Sequence, residues 1–347
     1  MCFKKKETHN DVFDSIIEKA KNSTKRIVLP EGNDERIIEA AKKASLMDLC
    51  EIIIIGDETL LSEKFTKKEL KNIRIVDIEK SGKVREMYAN TYLELRKHKG
   101  MTEIQALEDM KDPIKFACMM LYSDDADGVV AGACHATADV LRPAFQIIKN
   151  QKGINKVSSS FIMEVKDGLP FGENGFLVFA DCGVIAEPTD EDIKDIALLS
   201  AGLAESICSI KPRVALLSYT SKAQDDFPDE GVQKMKRAYK LIRRQNSSLI
   251  VDGELQADSA IVPSVCKQKA PSSMLDGRAN VLVFPNLASA NIAYKLVQRL
   301  AGVRAVGPIL QGLKKPVNDL SRGTNVDEIV LNIAITVLQS KYMIKGE

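Results

Sequence analysis

The run EIIIIGD at positions 51–57 is continuous and β-branched, the kind of strand that is buried on both faces. It sits between helical patterns. Upstream, RIVLPEGNDERIIEAAKKA at 26–44 reads strand, loop, helix, and downstream a strand candidate at 73–78 leads into a helical stretch from Lys83 to His98. Strands alternating with helices imply right-handed crossovers and a mostly parallel sheet, with ligands collecting beyond the carboxyl ends of the strands.

At 347 residues the chain exceeds one ordinary core and predicts two domains. Composition shifts near Gln151, where KVSSSFIMEV and GFLVFADCG form two strands able to pair across the long turn DGLPFGENG. Thr189 and Asp192 form a capping box for a helix ending near Ile207. RVALLSYTS, a helix around Val232 to Ile242, SLIVDGELQADSA and ANVLVFPNLASANIAYKLVQRLAG continue the alternation, so the second block is an α/β layer of its own.

Composition narrows the function classes. With 49 basic and 48 acidic side chains there is no overall field to recruit nucleic acid or an anionic membrane, and any anion must bind locally. The cysteines at 2, 50, 118, 134, 182, 208 and 266 contain no C-x-x-C, which fits a reducing compartment and signals no zinc or redox motif. MCFKKKETHND has no apolar segment behind its charges, and apolar-rich runs such as 329–337 are too short to span a bilayer, so the expected location is cytoplasmic. The P-loop and dinucleotide fingerprints are both absent.

Polar chemistry concentrates in PVNDLSRGTNVDE at 316–328, which gathers Ser321, Arg322, Gly323, Asp327 and Glu328. Apolar periodicity resumes at Val326, Ile329, Val330, Ile333 and Val337, making Asn325 an N-cap with Glu328 at the third helical position. Ser321 and Arg322 thus lie on the loop entering a helix N-terminus, where free amides favour anions. The Asn325–Glu328 pair also reads as a purely structural capping box, the glutamate returning to the N-cap amide. Elsewhere, Arg96 ends a helix capped by Gly100, where basic residues also serve as dipole partners. Pro143 predicts a break that would aim Arg142 at a phosphate, although a lone arginine is more commonly a surface residue with an acidic neighbour. His135 reads as a hydrogen-bonded turn residue, and Asp252, Glu254 and Asp258 as structural acceptors rather than metal ligands.

VLPEGNDERIIEAA, LRKHKGMT, DGVVAGACHATADVLRPAFQIIK, VFADCGVIAEPT, VDGELQADSA, VFPNLASANIAYKLVQRLAG and GPILQGLKKPVNDLSRG together resemble the phosphate acetyltransferase (phosphotransacetylase) family, from about Arg26 onward. The resemblance implies two α/β domains of the isocitrate/isopropylmalate dehydrogenase type with the active site in the cleft between them. It divides the chain into residues 1–152 plus 304–347 and residues 153–303, and implies a homodimer. The implied reaction converts acetyl-CoA and phosphate to acetyl phosphate and CoA, with CoA as substrate, no bound cofactor and no metal.

Residue by residue, the family's arginines match Arg96, Arg142 and Arg322, and its serine matches Ser321. The family's aspartate base, seven residues after that serine, is replaced here by Glu328, preceded by Asp327, so either carboxylate could take the thiol proton. The implied chemistry is direct thiolate attack in a ternary complex, with Ser321 donating to the oxyanion and the three arginines holding phosphate. No cysteine is nominated as nucleophile, Cys134 included. Phosphate butyryltransferase is the nearest rival, with a decarboxylating dehydrogenase or a non-catalytic acyl-CoA sensor further off.

Overall fold

The computed structural model describes residues 13–166 and 169–342; Cys2, Val12 and positions 167–168 of the DGLPFGENG turn lie outside them. Helix α1 (Asp14–Ala20) precedes β1 (Arg26–Leu29), α2 (Glu35–Leu46), β2 (Glu51–Ile55), α3 (Glu58–Lys64), β3 (Ile73–Val76), α4 (Gly82–Arg96), α5 (Glu103–Asp109), α6 (Pro113–Tyr122), β4 (Gly128–Ala131) and α7 (Thr137–Pro143). Next come β5 (Ser158–Glu164), β6 (Phe176–Ala180), α8 (Asp190–Ser206), β7 (Arg213–Leu217), α9 (Glu230–Gln245), β8 (Ile250–Leu255), α10 (Ala257–Ile261) and α11 (Pro263–Lys269). Strand β9 (Val281–Val283), α12 (Leu287–Ala301), β10 (Ala305–Gln311), β11 (Val317–Asp319) and α13 (Val326–Tyr342) complete the order.

Two sheets result. The first, β11-β4-β1-β2-β3, is parallel throughout. Ile27 to Leu29 and Ile52 to Ile55 are buried residue after residue, as a strand covered on both faces requires. Helix α13 is buried without interruption from Ile329 to Leu338 and packs on α1, α2, β4 and α8. A helix apolar all round is one that neighbours enclose, and α13 joins the two layers into a continuous core.

The second sheet runs β10-β5-β6-β9-β7-β8. The hairpin expected from KVSSSFIMEV and GFLVFADCG forms as the antiparallel β5–β6 pair, while β6, β9, β7 and β8 are parallel. Within residues 304–347, which were expected in the first domain, β10 pairs antiparallel with β5 of the second sheet while β11 pairs with β4 of the first. Buried polar groups account for the pairing. The Gln311 amide donates to Ser158 and Ser200 at 3.0 Å each and accepts from Ser160 at 3.1 Å, a network that would be orphaned if the strand left this sheet. The chain changes sheet between Gln311 and Val317 instead.

The Thr189–Asp192 capping box is present, and Gly100 takes the left-handed conformation at φ 81° after Arg96. The expected break before Pro143 is absent. Pro143 is the last residue of α7, and a π-helical turn over Ala144–Ile148 continues from it. Widening the helix after a proline accommodates the missing amide donor, so Arg142 sits in a helical turn rather than at a kink.

Candidate active site

Strands β11, β4 and β1 are neighbours and parallel, so the loops leaving their carboxyl ends meet. Glu31, on the loop after β1, is 1% exposed. Its carboxylate accepts from the amides of Gly132, Ala133 and Cys134 at 2.9, 2.8 and 3.0 Å. The Cys134 thiol donates to it at 3.2 Å, and His135 Nδ1, which must carry its proton to face an ionised carboxylate, lies at 2.6 Å. Burial alone would raise the Glu31 pKa, but the donors from His135, Cys134 and Ala133 outweigh it and hold the carboxyl below its ordinary value. One buried carboxylate thereby fixes the β4–α7 loop.

Arg36 performs the second fastening. Asp34 caps α2 by accepting from the Arg36 amide at 2.9 Å and pairs with the Arg36 guanidinium at 2.7 Å, which keeps the Asp34 carboxyl below the usual range. The same guanidinium donates to Ala133 O at 2.7 Å, Arg322 O at 2.8 Å and Thr324 O at 3.0 Å. Its fork joins three loops, a geometry lysine cannot reproduce.

On the third loop, Ser321, Arg322 and Gly323 are exposed. Ser321 Oγ accepts from the Gly323 amide at 3.3 Å. Asn325 caps α13 by accepting from the Glu328 amide at 3.0 Å, as expected. The Glu328 carboxylate does not return to the Asn325 amide as a capping box would require; it accepts from the Thr324 hydroxyl at 3.0 Å, and so stays within the Ser321 loop. Asp327 points away and pairs with Lys43 of α2 at 2.6 Å on an exposed surface. The two candidate carboxylates therefore point in different directions.

Arg142 is exposed in the last turn of α7. The first residue of that helix, Thr137, donates to Asp319 Oδ2 at 2.7 Å, and Asp319 lies two residues before Ser321. Among the described residues, neither the Arg142 nor the Arg322 guanidinium has a hydrogen-bond or ion-pair partner in the protein. Arg96 stands apart. It lines a pocket of about 330 Å³ with Lys99, Gly100, Met101, Gln105 and Asp109, and its Nε is buried without a partner. A larger cavity of about 670 Å³, lined by Thr220, Ser221, Lys222 and Phe227 among others, belongs to the β7–α9 connection and holds none of the matched residues.

The remaining candidates fall into place singly. Asp252 accepts from Lys222 and the Gly253 amide, Glu254 from Thr220 at 3.2 Å and the Ala223 amide at 2.6 Å, and Asp258 pairs with Lys269 at 2.7 Å. Among the described residues, Glu31, Cys134 and His135 alone bring three ligand-type atoms within 4.8 Å of one another. Their 2.6 Å Nδ1–carboxylate contact is a hydrogen-bond length, shorter than the edge between two ligands on one metal ion. Withdrawal from water, with the Glu31 carboxylate beside it, pushes the Cys134 thiol up to about 12. Such a thiol is a poor nucleophile. Glu31, Arg36, Thr137 and Asp319 went unassigned in the sequence, although each lies in a family-like stretch; their partners are as far as 286 residues away.

An open, helix-covered parallel sheet with polar loops at its carboxyl ends and a second mixed sheet packed beside it defines a dehydrogenase-like α/β fold. The 4-hydroxythreonine-4-phosphate dehydrogenase of Klebsiella pneumoniae shares it at a TM-score of 0.51 and 12% identity, covering 91% of this chain and 100% of that one. Much nearer is a phosphotransacetylase from Streptococcus pyogenes, with a TM-score of 0.87 and 37% identity over 95% of this chain and 98% of that one. The phosphate acetyltransferase of Clostridium acetobutylicum is 45% identical over 333 residues, 95% of this chain and 99% of its own length. The family model described as phosphate acetyl/butaryl transferase matches residues 11–337. The chain belongs to that family and is an acyltransferase.

Proposed function

We propose that the chain is a phosphate acetyltransferase, interconverting acetyl-CoA plus phosphate and acetyl phosphate plus CoA by direct transfer in a ternary complex. In the direction of acetyl-CoA synthesis, Glu328 takes the CoA thiol proton. The thiolate attacks the acetyl carbonyl, a carbon–sulfur bond forms, and the carbon–oxygen bond to phosphate breaks with the electron pair leaving on phosphate. Ser321 donates to the oxyanion that develops between these events, and Arg142 and Arg322 hold the phosphate. Arg96 completes the anion set if its segment closes toward the Ser321 loop. No metal or bound cofactor is required by these steps.

The observation that supports this reading is the pair of guanidinium groups, Arg142 and Arg322, that have no partner among the described residues and sit on segments joined through Thr137 and Asp319. Arginines left without a carboxylate beside a hydroxyl and a helix N-terminus suit a phosphate. The direction of Glu328 toward the Ser321 loop, and of Asp327 toward Lys43, favours Glu328 as base. Acetyl-CoA mixed with phosphate, or with arsenate in its place, should release thiol in proportion to enzyme. CoA binding without thiol release would mark the chain as a sensor, and faster turnover of butyryl-CoA would mark it as a butyryltransferase.

The working form in this reading is a cytoplasmic homodimer. Ile292, Leu296 and Leu300 are 59%, 53% and 83% exposed at helical spacing on α12, an apolar stripe suited to a second copy of the chain.

A further inference from the structure

Asp319 is 1% exposed, yet only one of its carboxylate oxygens has a partner. Oδ2 accepts from Thr137 Oγ1 at 2.7 Å, whereas Oδ1 is buried with no hydrogen-bond partner among the described residues. The neighbouring Leu320 amide spends its own hydrogen bond on Ala131 O at 2.7 Å. A buried carboxylate half satisfied in this way costs stability, and a residue serving packing alone would more cheaply be apolar. The surroundings are built around it. Gly132 has φ +110°, and a Cβ there would run into Asp319 Oδ1 and come within 2.8 Å of Leu320 N and O, so only glycine lets the β4 loop pass this close.

The position links two segments of different origin. Asp319 ends β11 two residues before Ser321, and Thr137 opens α7 five residues before Arg142. Asp319 pairs in register with Ala131 at the end of β4, so both segments leave the sheet at the same level. Among the described residues, the Thr137–Asp319 bond is the side-chain hydrogen bond that joins them, because Arg36 and Glu31 fasten the flanking loops and not α7 itself.

We infer that Asp319 is a positioning residue for phosphate: through the Thr137 hydroxyl it sets α7, and with it the Arg142 guanidinium, against the Ser321–Arg322 loop. The inference rests on the phosphate role proposed above for Arg142 and Arg322. Asp319 touches no reacting atom in this account. Burial and the nearby Glu31 carboxylate both work against its charge.

Steady-state kinetics on five variants test it, with phosphate and CoA-thioester varied separately. Thr137→Val, which removes the hydroxyl at an exposed position and leaves the shape, should raise KM for phosphate about tenfold, as expected for a misplaced binding group. KM for acetyl-CoA should change less than about twofold, and Thr137→Ser should restore the wild-type value. Asp319→Leu should match Thr137→Val, and the double variant should be no worse than Asp319→Leu alone, since both remove one bond. Should Asp319→Leu fail to fold, the Val and Ser variants still decide the matter. Arg142→Ala separates the two claims. Unchanged phosphate KM in Arg142→Ala would overturn the phosphate site itself. A raised KM in Arg142→Ala with none in Thr137→Val, or equal losses for phosphate and acetyl-CoA, would overturn the positioning role.

Discussion

The Arg36 guanidinium holds the backbone carbonyl of Arg322 at 2.8 Å across 286 residues of sequence. It frees the Arg322 side chain by fastening its main chain, since the same fork also binds Thr324 O and Ala133 O. A loop that must present a cation to an anion gains from being rigid before the anion arrives. Arg36→Ala should therefore lower turnover about tenfold to a hundredfold while costing roughly 1–3 kcal/mol of stability, allowing for the partial exposure of its pair with Asp34. Arg36→Lys should rescue little, because one ammonium cannot span three carbonyls. Thermal unfolding and initial rates on both variants check this.

Glu328 and Asp327 are adjacent, yet their surroundings predict opposite outcomes. Glu328→Gln should reduce kcat by roughly 10² to 10⁴ with little change in KM, the range for a lost general base. Asp327→Asn gives up an exposed pair with Lys43, worth about 0–1 kcal/mol, and should leave kcat nearly intact. Reversed effects would assign the proton to Asp327.

Burial first, and then the Glu31 charge, push the Asp319 carboxyl up to about 6. An unfolded aspartate titrates near 3.9, so between those values the folded state binds more protons and stability falls as pH rises. Above about pH 6 the full loss, roughly 2–3 kcal/mol, is in place. Asp319→Asn should escape it, so the difference in unfolding temperature between variant and wild type should favour the variant more at pH 7.5 than at pH 5. Glu31 runs the other way: its pKa is lowered, and its contribution is lost as pH falls through the folded value.

Cys134 is exposed beside the site, but its thiol is pushed up to about 12. Alkylation by iodoacetamide at pH 8 should proceed more slowly than for an ordinary free thiol, since less of it is thiolate. Mass spectrometry of the intact protein reads the rate. Rapid labelling at Cys134 would reopen a covalent route.

Local pattern made much of this architecture legible. EIIIIGD announced a strand buried on both faces, Thr189 and Asp192 a cap, and Asn325 the start of α13, because each signal is complete within a few residues. Pro143 misled, since a proline at the end of an α-helix can be followed by a π turn whose stability depends on what packs around it. The pairing of β10 with β5 was not legible, because β5 lies some 150 residues back and the two are held by Gln311 and three serines that look like any polar residues. Ser321, Arg322 and Arg142 could be matched by motif. Glu31, Arg36 and Asp319, which hold those residues in relation to one another, act through contacts 97 to 286 residues apart, and no window of sequence contains both partners.

Phosphate binding measured directly, by calorimetric titration of the protein in the absence of CoA, bears most closely on the central claim that Arg142 and Arg322 converge on one anion. Wild type should bind a single phosphate, and Arg142→Ala and Arg322→Ala should each weaken it by about tenfold or more, the loss expected for a charge-assisted bond. Equal affinity in all three proteins would contradict it.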